Sequence, residues 1–244
     1  MRALARLLRE EIGEREFRRV NSRLRDTGRR LAPSRDSVVR LATLSRLIAL
    51  HPKALALEGI ERLQGQLEAD RAQAEEPAFD PRVLDDVEKM RRELSRWNLL
   101  DHDLDALSPG LRRIYREGRR RYARVKHKHA RPQDLHDWRK RVKALYYALD
   151  MLGGPNAKGA RRITKRTERL GEELGEEHDL WMLSVYVERH PQALGQDDRS
   201  REVLLKVIAQ RRKRLRKRAL AGGSRVYADP PSKFTRRIAH ALSR

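Results

Sequence analysis

His136, Arg139, Lys140, Lys143 and Tyr147 are the residues of this sequence whose types and spacing suit chemistry on a charged ligand. At about 100° per residue, a helix drawn through them gathers all five in one sector, while Trp138, Val142, Leu145, Leu149 and Leu152 fall opposite. The second set is an ordinary core stripe. The first is a ladder of donors with no acid in its sector before Asp150, where a helix needing only solubility would mix signs. A protonated imidazole supplies two donors, Arg a planar fork and Lys a point charge, and the Tyr147 hydroxyl can reach in from the edge. The natural partner is anionic.

Such a ladder needs a helix held by its apolar face, and the rest of the 244-residue sequence supplies helices for it to pack on. Apolar residues recur at three- and four-residue spacing, as in Val20, Leu24, Thr27 and Leu31 or Val83, Val87, Met90 and Leu94, and strand-like alternation is nearly absent. A composition of 39% hydrophobic and 38% charged residues lies near the boundary with disorder, and it is the periodicity that decides for an all-α fold. Turn formers at Gly13, Pro33, His51-Pro52, Pro77 to Pro81, Ser108-Pro109-Gly110, Arg131-Pro132, Gly153-Gly154-Pro155, Gly175, His190-Pro191 and Gly222-Gly223 predict breaks between roughly ten helices of about 10 to 23 residues. Short connections favour antiparallel neighbours, as in helical bundles.

Lys and Arg total 57 against 35 Asp and Glu, and the resulting net charge of +22 exceeds what solubility calls for. The partner class is therefore polyanionic, with nucleic acid, inorganic polyphosphate and anionic membrane surfaces all qualifying. Arg outnumbers Lys, which suits bidentate phosphate contacts, although arginine-rich codon usage accounts for the same bias. The absence of cysteine excludes disulfides, thiolate metal sites and cysteine nucleophiles and fits a reducing compartment. No run approaches the roughly 18 apolar residues of a membrane span, and the first residues lack the apolar core of a signal peptide, so the expectation is a cytoplasmic protein.

Residues 17–36 laid over 160–179 reveal an internal repeat: Arg18-Arg19-Val20 matches Arg161-Arg162-Ile163, and the Gly28 to Asp36 segment matches Gly171 to Asp179. The chain is expected to form two similar helical bundles, 1–103 and 104–244, the second with a basic C-terminal helix and tail. Arg18, Arg25 and Arg29 share one helix face in the first copy. The equivalent helix of the second copy offers Arg161, Arg162, Lys165 and Arg169, but Glu168 and Glu172 replace Arg25 and Arg29, so the stripe there is rotated and weaker. Asp36 and Asp179 are expected at helix starts, where an acid satisfies free N–H groups, with Arg35 and His178 preceding them at repeat-related positions. The same offset aligns Tyr147 with Leu4 and puts the counterparts of His136, Arg139, Lys140 and Lys143 before Met1, so the first repeat reads as N-terminally incomplete.

Two motifs in order, His136-x-x-Arg139-Lys140-x-x-Lys143-x-x-Tyr146-Tyr147 and Leu170-Gly171-x-x-Leu174-Gly175-x-x-His178-Asp179-Leu180, with a pseudo-repeat around them, resemble the conserved histidine α-helical domain, or CHAD, family. Arg30-Leu31-Ala32-Pro33-Ser34-Arg35-Asp36 is similar to the corresponding element of that family's first repeat. The resemblance covers most of the chain. It implies a pair of pseudo-symmetric antiparallel bundles with a basic groove or channel between them, lined by the histidine and its neighbouring bases. It also implies binding of inorganic polyphosphate and targeting to polyphosphate granules. The family often accompanies triphosphate-tunnel enzymes with an alternating Glu-x-Glu-x-Lys strand; the nearest string here, Glu14-Arg15-Glu16-Phe17-Arg18, lies in a helical pattern.

Other clusters carry less. Lys126, Lys128 and Arg131 crowd His127 and His129 with positive charge, and Asp101-His102-Asp103 are adjacent loop residues that converge poorly on one ion, so no metal site is expected. No catalytic residue and no cofactor are expected either: phosphoryl transfer usually needs metal carboxylates or a phosphate-cradling glycine loop with its lysine, and neither is present in the sequence. The run Arg211 to Arg218 wraps its helix and adds long-range attraction. It also suits duplex or single-stranded nucleic acid, the alternative partner, although aromatic residues make up 5% of the chain and are too scattered for a base-stacking platform.

Overall fold

The computed structural model describes residues 1–30, 32–75, 81–97, 104–127, 131–153 and 158–242. Leu31, Pro77, Asp101 to Asp103, Lys128, His129 and the Gly154-Pro155 turn lie outside them. The described residues are all-α: α1 (Arg2–Leu7), α2 (Arg9–Arg30), α3 (Ala32–Leu50), α4 (Glu58–Glu75), α5 (Pro81–Ser95), α6 (Leu104–Val125), α7 (Pro132–Gly153), α8 (Lys158–Arg189), α9 (Asp198–Val226) and α10 (Pro231–Leu242), with a 3-10 turn at Pro191–Leu194.

The helices form two compact units, each drawing on residues from both sides of the boundary expected at 103/104. Unit 1 comprises Met1–Thr27, Arg82–Leu174 and Arg218–Arg244; unit 2 comprises Gly28–Pro81 and Gly175–Lys217. The chain thus leaves unit 1 for unit 2 at Thr27–Gly28 and again at Leu174–Gly175, and both transitions fall inside the two copies of the repeated segment. Unit 2 has its own core, in which Leu44 and Leu47 of α3 and Leu63 and Leu67 of α4 join Leu183 and Leu204.

Several expected breaks are real. Gly13 adopts φ 79° and interrupts α2, a backbone region that glycine enters without steric cost. Proline follows the helix ends at Leu50 and Arg189, and Gly195 closes the 3-10 turn in the left-handed conformation. Three others are not. Pro109-Gly110 lie within α6, Gly175 within α8 and Gly222-Gly223 within α9. A glycine costs a helix only about 1 kcal/mol relative to alanine, which packing overrides. Two of these glycines are where packing demands it: the Leu7 carbonyl presses on Gly110, and a Cβ on Gly223 would stand 2.6 Å from the Tyr122 ring and 2.7 Å from that of Trp138. Because α8 runs through Gly175, Asp179 lies deep inside a helix, and Asp36 stands beyond the first turn of α3. Neither acid occupies the helix start expected of it.

Unit 1 is organised around aromatic rings. Trp138 of α7 is fully buried, with its ring 5.3 Å from Tyr122 of α6. Tyr122 stacks in turn on Tyr227 at 5.8 Å, and Tyr115 stacks on Phe234 of α10 at 3.8 Å. Two of the ring hydroxyls bond to the chain around the end of α9: Tyr115 donates to the Asp229 carbonyl at 2.9 Å and Tyr122 to that of Leu220 at 3.1 Å. Gly223→Ala should therefore destabilise the protein by about 1 to 3 kcal/mol through overpacking. Gly171→Ala, whose new methyl would meet only Val142 at an ordinary 3.8 Å, should be neutral or stabilising, up to about 1 kcal/mol from helix propensity. Denaturant midpoints of the two variants check the contrast.

Candidate functional site

Helix α7 begins with Pro132 at its first position, and the Asp134 carboxylate accepts a hydrogen bond from the Arg131 N–H at 3.0 Å. From that start it buries Leu135, Trp138, Val142, Ala144, Leu145, Ala148 and Leu149. The expected core stripe is thus internal, with Leu152 packed partly buried against the same cluster. The opposite face carries the ladder. His136 and Arg139 are half-buried at its base, while Lys140, Lys143 and Tyr147 stand exposed. Asp137 approaches from the flank: its Oδ1 lies 3.7 Å from Lys140 Nζ, and its other oxygen lies 3.4 Å from Arg121.

Burial lowers the pKa of His136, and Lys140 and Arg139 lower it further, against a smaller opposing effect of Asp137. The free imidazole is therefore held toward its neutral form at pH 7. A polyanion laid along the ladder would reverse the local potential and raise that pKa, so such binding would take up a proton. Affinity for a phosphate polymer should rise as pH is lowered from about 7.5 to about 5.5, and His136→Gln should flatten that rise. In the absence of ligand the same shift acts on stability: the unfolded imidazole binds its proton more readily, so the contribution of His136 falls as pH drops below the ordinary value of about 6.5. Titration calorimetry in buffers of different ionisation enthalpy reads the proton uptake directly.

Of the remaining expected residues, Arg18, Arg25, Arg162, Lys165 and Arg169 belong to unit 1, and Arg29, Arg35 and His178 to unit 2. Arg18 pairs with Glu14 at 2.6 Å and Arg25 with Asp26 at 3.1 Å, both on α2, where the Glu14 to Arg18 string is helical. Arg35 pairs with its neighbour Asp36 at 3.3 Å, Arg29 is exposed, and the His178 ring lies 5.7 Å from that of Trp181. The structure brings Arg162, Lys165 and Arg169 together on one wall of a cleft of about 700 Å³ in unit 1, with Arg166 beside them and Arg218 and Arg225 of α9 opposite.

The sequence marks Arg218 only as the end of the run Arg211 to Arg218, and does not single out Arg166 and Arg225. Arg162, Lys165, Arg166 and Arg169 do follow the spacing of one helix face, but a helix end expected at Gly222-Gly223 hid the continuation of α9 to Arg225. A second basic cluster was also missed. Burial lowers the pKa of Arg6 on α1 to about 10, with Arg2 and Arg141 lowering it further and Glu117 partly offsetting them. No periodicity connects these groups, because they come from α1, α6 and α7.

Four of the seven basic residues in the densest run, Arg211 to Arg218, are paired with glutamates. In unit 2, one oxygen of Glu177 accepts from Arg212 at 3.1 Å and from Arg216 at 2.9 Å, and Glu176 accepts from Arg211 at 2.7 Å. In unit 1, Glu173 pairs with Arg218 at 3.1 Å. Glu177 is only 3% exposed, so Glu177→Ala would strand two guanidinium groups and should cost about 3 kcal/mol, measured by chemical denaturation.

A basic ladder seated by Trp138, followed by the helix of His178-Asp179, is the arrangement that the two sequence motifs describe, and the CHAD domain model matches residues 1–188. The chain belongs to the CHAD family. Comparison with curated proteins and with solved structures returned no match. The match takes in α1 to α7 and nearly all of α8, while α9 and α10, which complete the aromatic core of unit 1, lie beyond residue 188. Among the described residues, no helix is long and apolar enough to cross a membrane.

Proposed function

We propose that this CHAD domain binds inorganic polyphosphate without cleaving it, with the basic face of α7 as the principal contact, and that this binding can carry the protein to polyphosphate granules. The observation that carries the reading is the ladder itself: His136, Arg139, Lys140 and Lys143 share one face of a helix whose other face is locked in the core. A repeating anion with a negative charge on every unit matches a row of donors along a helix. Such binding needs arranged donors only. Polyphosphate binding by the family, as implied by the motifs, supports the same ligand.

Nucleic acid is the competing partner for a chain of charge +22. Two observations favour polyphosphate. Four arginines of the basic run best suited to a nucleic-acid backbone, Arg211, Arg212, Arg216 and Arg218, are tied to Glu176, Glu177 and Glu173. Most of the aromatic rings, including Tyr115, Tyr122, Trp138, Tyr186, Tyr227 and Phe234, are buried and offer no platform for bases.

The test combines His136→Gln, Arg139→Gln, Lys140→Gln and Lys143→Gln. At fixed salt, affinity for long-chain polyphosphate should fall about a hundredfold, taking a factor of a few for each exposed charge pair. Unchanged affinity would remove α7 as the site. In competition at equal phosphate concentration, polyphosphate should displace duplex DNA. Preference for DNA, or release of orthophosphate from bound polymer, would contradict the proposal.

A further inference from the structure

We infer that the cleft between α8 and α9 in unit 1 is a second phosphate-chain site, separate from the ladder on α7 and able to hold a short linear oligophosphate by itself. The inference rests on the polyphosphate reading for its ligand class, but not on the ladder for its site. The cleft is concave, at about 700 Å³, and its walls present Arg162, Lys165, Arg166 and Arg169 from α8 and Arg218 and Arg225 from α9. Volumes of this order hold compact ligands.

Within the cleft, cations gather that lack carboxylate partners among the described residues. Its three carboxylates are Glu168, Glu172 and Glu173. Glu173 is engaged by Arg218 at 3.1 Å and Glu168 accepts from Tyr146 at 3.0 Å, while Glu172 is exposed. Among the described residues, Arg162, Lys165, Arg166, Arg169 and Arg225 make no ion pair. On the neighbouring turns of α9, Arg211 is matched to Glu176 and Arg212 and Arg216 share Glu177, while Lys213, Arg214 and Lys217 are exposed and do not line the cleft. Like charges gathered in one concavity repel unless an anion neutralises them, and guanidinium forks from two walls can clasp phosphate oxygens from both sides.

The lining also narrows the ligand. It contains no aromatic ring, so it offers a base nothing to stack on, and a bare phosphate chain fits better than a nucleotide. Tyr146, whose ring lies 5.2 Å from that of Tyr147, donates to Glu168 on the cleft wall, so the ladder and the cleft meet at this contact. A polymer long enough to reach both would bind bivalently, and its affinity would exceed that of a short chain by more than the count of phosphates explains.

The experiment measures tripolyphosphate, ATP and long-chain polyphosphate binding to the full chain, to Arg166→Gln/Arg225→Gln, and to the fourfold α7 variant. Arg166 and Arg225 are exposed and unpaired among the described residues, so their replacement should leave the thermal midpoint unchanged. Tripolyphosphate should still bind the α7 variant and should lose about tenfold in Arg166→Gln/Arg225→Gln, two exposed charge contacts being removed. The advantage of long over short chains should shrink in both variants. Tripolyphosphate binding unaffected by Arg166→Gln/Arg225→Gln, or ATP binding well above tripolyphosphate, would overturn the assignment. If the α7 variant keeps full affinity for the long polymer while the cleft variant loses it, the α7 proposal fails and the cleft stands.

Discussion

The burial of one face of α7 around Trp138 is the constraint from which the rest of unit 1 follows. With its indole fully enclosed, the helix cannot rotate, and every residue about half a turn away is forced to the opposite side. His136, Arg139, Lys140 and Lys143 therefore stand together on that side. That burial depends on Gly223, whose missing side chain lets α9 lie against Trp138 and Tyr122, and on α10, whose Phe234 stacks on Tyr115. Residues far along the chain from the ladder, and beyond the span of the family match, hold it in place.

Charge compensation differs between stretches of the same two helices. Where α8 and α9 place glutamates opposite arginines, as in the enclosed Glu177 with Arg212 and Arg216, positive charge serves to hold two helices together. Where they do not, as along Arg162, Lys165, Arg166, Arg169 and Arg225, the same helices leave a cleft of unmatched cations. The density of basic residues in the sequence points to the first region; the structure points to the second. Arg211 to Arg218 is the richest string in the chain, yet most of its guanidinium groups already have carboxylates.

Periodicity made the all-α class and both faces of α7 legible, because the 3.6-residue repeat assigns each side chain a direction before any partner is known. The repeat was legible too, and its two copies coincide with the places where the chain passes between units. The expected division at 103/104 rests on the repeat and on the turn formers between Asp101 and Pro109, whereas compactness depends on which segments return to one core, and in unit 1 these are Met1–Thr27, Arg82–Leu174 and Arg218–Arg244. Gly175 and Gly222-Gly223 were read as stops because a glycine's cost is local and its compensation is not: nothing near Gly223 in sequence announces two aromatic rings. The cleft was half legible for the same reason. The spacing of Arg162, Lys165 and Arg169 marks a stripe, but its opposite wall depends on helix pairing.

Polymer binding by rows of charge leaves a thermodynamic signature that counts the contacts. Each phosphate neutralised by the protein releases condensed counterion, so the slope of log affinity against log salt concentration reports how many charges the polymer meets. With long-chain polyphosphate, the variant lacking the charges of His136, Arg139, Lys140 and Lys143 should show a slope shallower than the native chain by about two units, for three permanent charges at roughly 0.7 each as in single-stranded nucleic acid. Parallel slopes for the two proteins would contradict the account, because the polymer would then be bound by charges elsewhere.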